Sequence, residues 1–451
     1  MSRSRFALFV AFAAVCAGAA PADAAVERFT VRQGPLALGP YEVGQTSANT
    51  RPVRAPRLDG WLVKMHARVV DRRGRPMPVR RVMLHHIVYK NASRRDQVCP
   101  GSQSFYGTGE ENETLRFPPG YGYRVRRGDR WETGWMLMNH GNRREAAYIE
   151  YTAWIETSAR LRGVVPYWVR ATGCAYRNDP IFNVPGGGAP GSTFEKSARW
   201  TVPRTGRIVA GGSHVHGGAK ELTLTRPACP DGRLMSSRPL FGLPGHPYYK
   251  VLPVLHEPGP FATSWLTSAT GVPVERGERL RVTALYDGER PHTRVMGIWH
   301  LYLAPDAQAR ATCGPPPADL RDRLPRERGR TDPPAVTVPL TGLNGRGVAR
   351  TILRPPGPLV RAGARATVRV GLRSYDVRNL SIAQGGVVTW RFTAKRDFHD
   401  VTLANGPVGF ASRWSLGGRS YAHRFDVPGT YRLFCSLHPI DMTQVVTVRP
   451  R

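Results

Sequence analysis

Apolar residues along the chain come in short runs rich in Val, Ile, Tyr, Trp and Thr, such as Tyr148 to Ile155, Glu221 to Thr225 and Arg279 to Tyr286. Glycine (48 residues) and proline (40 residues) interrupt these runs every few positions. Stretches with the period of an amphipathic helix are nearly absent. Short β-favouring runs separated by turn residues are the pattern of antiparallel sandwiches, so the expected fold class is all-β. At 451 residues, the chain has room for about three domains. Residues 25–165 and 166–310 are expected as two tandem β-sandwich units. Residues 311–345, with "CGPPPADLRDRLPRERGRTDPP", are Pro-rich and charged and read as a linker that lets its two ends dock and release. Residues 346–451 are expected as a third β unit.

The first residues change the picture of compartment. Arg3 and Arg5 precede an apolar run from Phe6 to Ala19, and Ala22-Asp23-Ala24 is a small-x-small cleavage signal. Residues 1–24 are therefore expected as a signal peptide, which places the mature protein outside the cytoplasm, secreted or in the periplasm or cell envelope. The apolar run is short for a membrane span, and no integral membrane segment is expected after cleavage. Cys16 leaves with the signal; Cys99, Cys174, Cys229 and Cys313 are expected to form two disulfides, and spacing does not choose among the three pairings. The formal net charge is +32, but only six of the basic residues are Lys, and Arg is scattered along the whole chain. There is no basic block interleaved with aromatics, so no nucleic-acid partner is expected.

Chemistry concentrates in histidine, cysteine and methionine. The stretch "GTYRLFCSLHPIDM" places Cys435, His438 and Met442 on one short loop after a strand-like run, and "DFHDVTL" supplies His399. Two imidazoles, one thiolate and a long axial thioether make a blue-copper (type 1) electron-transfer site. Further upstream, "RRVMLHHIVYKN" carries His85 and His86, and "GWMLMNHGN" carries His140. A histidine in an apolar strand needs a partner, and three in two such runs favour a metal. Adjacent strand residues point to opposite faces, so His85 and His86 can share a metal only if the strand ends or twists there. In "GGSHVHGGAKELTLTR", His214 and His216 share one strand face, and the flanking glycines leave room for a metal between them. In "RPHTRVMGIWHLYLAP", Met296 lies between His292 and His300, and strand parity points all three the same way.

The C-terminal residues from about 365 to 449, with "GGVVTWRF", "FHDVTL", "YAHRFDVPGTYRLFCSLHPIDM" and "TQVVTV", resemble a cupredoxin of the plastocyanin and pseudoazurin type. This resemblance implies a Greek-key sandwich with His399, Cys435, His438 and Met442 as copper ligands, His438 as the partly exposed electron port, and His423 outside the site. Residues from about 50 to 310, with "LHHIVY", "MLMNH", "HVHGG" and Met296 in order, resemble the copper-dependent monooxygenases of the peptidylglycine α-hydroxylating and dopamine β-hydroxylating type. That resemblance implies two jelly-roll sandwiches, one copper on His85, His86 and His140, and another on His214, His216 and Met296. The first would pass an electron, and the second would bind O2 and attack a C–H bond. The family's substrate-binding side chains find no match here, and His300 finds no role. The expectation is a copper redox protein with a type 1 centre and two further type 2-like coppers. It would be served by a redox partner protein or small reductant and act on an unknown small organic substrate if it is an enzyme. The alternative is a non-catalytic electron-transfer protein whose N-terminal units are a binding platform.

Overall fold

The computed structural model describes residues 26–45, 50–174, 180–243, 246, 250–324 and 328–451; the expected signal segment lies outside them. The described chain is all-β, with no α-helix among the described residues. The reason is visible in strands such as Gly386–Phe392, where Val388, Trp390 and Phe392 are buried and the residues between them are more exposed. Alternation of this kind gives a strand one face for a core and one for solvent.

A ten-stranded sheet forms the spine of the N-terminal two-thirds. One half of it, including Val26–Leu38, Glu145–Glu156 and Gly60–Val70, shares a core with a five-stranded sheet built on Trp131–Asn139, Val82–Arg95 and Ser102–Gly109. The other half, including Gly297–Pro305, Gly206–Val215 and Trp265–Val274, shares a core with a four-stranded sheet of Thr193–Thr201, Arg279–Asp287, Ala219–Thr225 and Arg233–Ser237. The boundary expected at residues 165/166 falls inside the strand Arg162–Arg170. That strand pairs with Tyr121–Val125 on one side and Gly297–Pro305 on the other, so a single sheet runs through both sandwich units.

The C-terminal unit has a five-stranded sheet, ordered Leu359–Arg361, Asn379–Ala383, His438–Arg449, Gly429–Cys435 and Thr402–Asn405. It faces a three-stranded sheet of Arg365–Val370, Gly386–Phe392 and Ser420–Phe425. The core of this unit is continuous with Val43, Met83, Met136, Met138 and Val251 from the N-terminal region. The described residues of the expected linker are tied to the body at three places. Cys313 is bonded to Cys229, Arg321–Asp322 adds a strand beside Trp265–Val274, and the Val338 carbonyl accepts a hydrogen bond from Asn405. The other disulfide joins Cys99 to Cys174, which settles the pairing left open by spacing.

Candidate metal centres

In the C-terminal unit, Gly429–Cys435 and His438–Arg449 are antiparallel neighbours whose tight turn pairs Cys435 with His438. His399 is brought over by an isolated bridge to Ser415. The Cys435 Sγ lies 3.9 Å from His399 Nδ1 and 3.6 Å from His438 Nδ1. A metal bonded to sulfur at about 2.3 Å and nitrogen at about 2.0 Å would hold the two donors about 3.7 Å apart at a trigonal angle. With all three donor atoms within 4.8 Å of one another, these side chains could hold one ion. Met442 is fully buried in the same core. Cys435 is a free, fully buried cysteine. Burial, and then the neighbouring Asp400 charge, push its thiol well above the usual range. Burial pulls His399 down to about 4, with His438 as the next cause. The imidazoles are thus neutral and ready to ligate, while the thiol must lose its proton to a bound cation.

Asp400 organises this loop. It is fully buried, and its carboxylate accepts hydrogen bonds from the Ser436 backbone N–H (2.7 Å) and hydroxyl (2.6 Å) and from Thr402 (3.1 Å). Its backbone N–H points at Cys435 Sγ at 3.5 Å. It also pairs with Arg294 of the N-terminal region at 3.1 Å, and the Arg294 guanidinium lies 4.7 Å over Trp414. His423 stacks on Phe410 with ring centroids 3.8 Å apart and is not part of the His399, Cys435 and His438 cluster.

Several of the upstream histidines converge on one cavity. His85, His86, His216, His256 and Met296 line it together, and Thr402, Trp414 and Ser436 of the C-terminal unit line it too. The tension over adjacent histidines resolves through a bulge. In the pairing of Val82–Arg95 with Trp131–Asn139, Leu84 faces Leu137 and His86 faces Met136, which leaves His85 as the extra residue. Such a bulge re-aims a side chain. His85 Nδ1 then sits 3.1 Å from His86 Nδ1. On the other wall is His216, and His214, behind it, places Nε2 3.1 Å from His216 Nε2. A separation of 3.1 Å suits either an N–H···N hydrogen bond or two nitrogens at about 2.0–2.1 Å on one metal at about 100°. The rings of His85 and His216 are 5.3 Å apart, so the two pairs are neighbours.

Other expected placements differ. His140 directs Nδ1 at the Pro253 carbonyl, 3.2 Å away, and its buried Nε2 has no hydrogen-bond partner. Burial and the charge of His256 lower His140 to about 4. His140 does not line the cavity that holds His85 and His86. The parity argument for His292, Met296 and His300 fails because the strand breaks: His292–Val295 and Gly297–Pro305 are separate elements, and Arg294 has a φ of 57°. His292 pairs with Glu257 at 2.7 Å, whereas His300 stacks on Trp168 at 3.9 Å and faces Glu113 at 3.3 Å. The glycines around His214 and His216 make room for side chains. A Cβ on Gly212 would meet Glu113 and Trp265, and one on Gly218, whose φ is +79°, would meet His292.

Sequence reasoning missed the acidic partners. Glu110, Glu111 and Glu113 follow the strand Ser102–Gly109, and each carboxylate meets a different histidine. Glu110 reaches His256 at 2.6 Å, and Glu111 reaches His214 Nδ1 at 2.9 Å. Burial lowers the His214 pKa, but the Glu111 carboxylate outweighs it and the net direction is upward. Burial lowers His85 and His216 well below the usual range, and takes His86 to about 3. Also missed was Tyr286, which is fully buried and joins two expected ligands: it accepts the His216 backbone N–H at 3.0 Å and donates to the Met296 carbonyl at 2.5 Å. The one legible signal was three glutamates in four residues within a strongly basic chain.

No protein-family model matches this chain, and no curated protein matches it. Among solved structures it is similar to an oxidised mutant of amicyanin, at 23% identity over 18% of this chain and 80% of that one, with a TM-score of 0.17. It is similar to a reduced Cu(I) form of a second amicyanin mutant at pH 4, at 26% identity over 18% and 80% of the two chains, with a TM-score of 0.17. A Cu(I) form of a third mutant matches at 25% identity over 20% and 85%, with a TM-score of 0.18. Likenesses of this size carry no weight in assigning the sites, which rest on the side chains themselves.

Proposed function

We propose that this chain is an extracytoplasmic copper redox protein. A type 1 centre on His399, Cys435, His438 and Met442 would exchange single electrons with a second copper centre in the histidine cavity. That cavity, with His85, His86, His214, His216 and Met296 about it, would support O2-dependent attack on a C–H bond of a small organic substrate. The observation that carries this reading is Ser436: the residue covalently following Cys435 lines the same cavity as His85, His86, His216 and Met296. Copper, when bound at such donors, supplies one-electron redox chemistry. The chain itself supplies imidazoles held neutral by burial at His85, His86 and His216, a thiol held dry, and a route of one peptide unit plus the Asp400–Arg294 pair between the centres. The two disulfides agree with an oxidising compartment.

The test is reoxidation of the reduced blue centre by O2. In the fully copper-loaded chain the blue absorption should return rapidly, and His214→Ala should slow that return at least tenfold while leaving the colour itself intact. Equal rates in the two proteins would sink the coupling and favour an electron carrier mounted on a non-catalytic platform.

A further inference from the structure

We infer that Glu110 and His256 are metal ligands, and that with His85 they form a two-imidazole, one-carboxylate site for a divalent cation, copper(II) in the first instance. His86 then serves to orient His85 and does not share its metal. This assignment rests on the reading of the cavity as a metal centre and specifies one of its ligand sets.

The geometry supports it in four ways. Donor atoms of His85, Glu110 and His256 all lie within 4.8 Å of one another. The 3.7 Å between His85 Nε2 and Glu110 Oε1 is too long for a hydrogen bond. It is the separation expected of two donors at about 2.0–2.1 Å from one metal across an angle of about 130°. Glu110 Oε2 accepts the Gly259 backbone N–H at 2.7 Å, which fixes the carboxylate, while Oε1 faces His256 Nε2 at 2.6 Å, a contact that a cation entering between them would open. Finally, His256 is paired only through Nε2, with Glu110, and its buried Nδ1 has no hydrogen-bond partner, so its polar network is incomplete.

The same geometry gives His86 its role. With the proton of His85 on Nδ1, that N–H donates to His86 Nδ1 across the 3.1 Å contact, and Nε2 keeps its lone pair for the cation. A ligating imidazole held through its other nitrogen is the usual outer-shell arrangement. The bulge at His85 serves both functions, since it turns Nε2 toward Glu110 and His256 while keeping Nδ1 beside His86. Two imidazoles and a carboxylate suit a borderline divalent ion, in contrast to the thioether-containing set around Met296, which suits Cu(I).

The experiment is crystallography of the full chain soaked in copper(II), with anomalous scattering recorded at the copper edge. The expected result is a peak within about 2.5 Å of His85 Nε2, His256 Nε2 and a Glu110 oxygen. A peak between His85 and His86 that leaves Glu110 and His256 beyond bonding reach would overturn the assignment while keeping the cavity as a metal centre. No peak anywhere in the cavity would defeat both. In solution, Glu110→Gln and His256→Ala should each lose one non-blue copper per chain by metal analysis and paramagnetic resonance, with the blue band retained. Unchanged stoichiometry in both folded variants would overturn it as well. If the variants do not fold, the anomalous map of the native chain decides.

Discussion

Glu111 shows what a single carboxylate does here. It holds His214 Nδ1 at 2.9 Å and thereby directs Nε2 toward His216. Removing an outer partner of this kind typically weakens metal affinity by about 10–100-fold. Glu111→Gln keeps the shape but removes the charge, so copper bound at His214 and His216 should weaken within that range in a competition titration with a chelator. The type 1 centre should be unaffected. An unchanged titration would mean that Glu111 neutralises His214 without orienting it. At this scale legibility followed sequence distance. Cys435, His438 and Met442 lie within eight residues of one another across one tight turn, and their donor types alone suggest a soft-metal site. Glu110 and His256 are 146 positions apart, and no local pattern announces a contact closed only by tertiary packing.

Among the elements, strand irregularities decide the cavity. Regular parity would have sent His85 and His86 to opposite faces, and it wrongly aligned His292 with Met296 and His300. A bulge corrects the first case and a strand break the second. Neither is written in hydrophobic alternation, because each is a single-residue departure from it. Tyr286, on the strand Arg279–Asp287, compensates for the break by tying the His216 N–H and the Met296 carbonyl to one hydroxyl. Tyr286→Phe leaves two backbone groups unpaired, at a cost of about 1–3 kcal/mol each if they remain dry. The expected outcome is a lower denaturation midpoint and an altered non-blue copper signal, with the blue band unchanged. A stability loss with both copper signals intact would assign Tyr286 to the core alone.

For the whole molecule, composition and periodicity were enough for an all-β chain, but they suggested a tether where the structure has a seam. The segment 311–345 looked free because Pro and charge dominate it; a disulfide and an added strand bind it to the body. The seam itself joins Met83, Met136 and Met138 to Val401, Leu437 and Met442 in one core, and the Arg294–Asp400 pair crosses it. Asp400 is fully buried, so removing its cation leaves a dry charge held only by Ser436 and Thr402. Breaking a buried pair from one side costs on the order of 3–5 kcal/mol. In the native chain, the blue colour and the N-terminal tertiary signal should therefore be lost in one thermal transition. Arg294→Met should lower that transition or divide it into two, and should slow reoxidation of the blue centre, because the same contact holds Ser436 against the histidine cavity. Two well-separated transitions in the native protein would show that the C-terminal unit is carried on the body without being coupled to it.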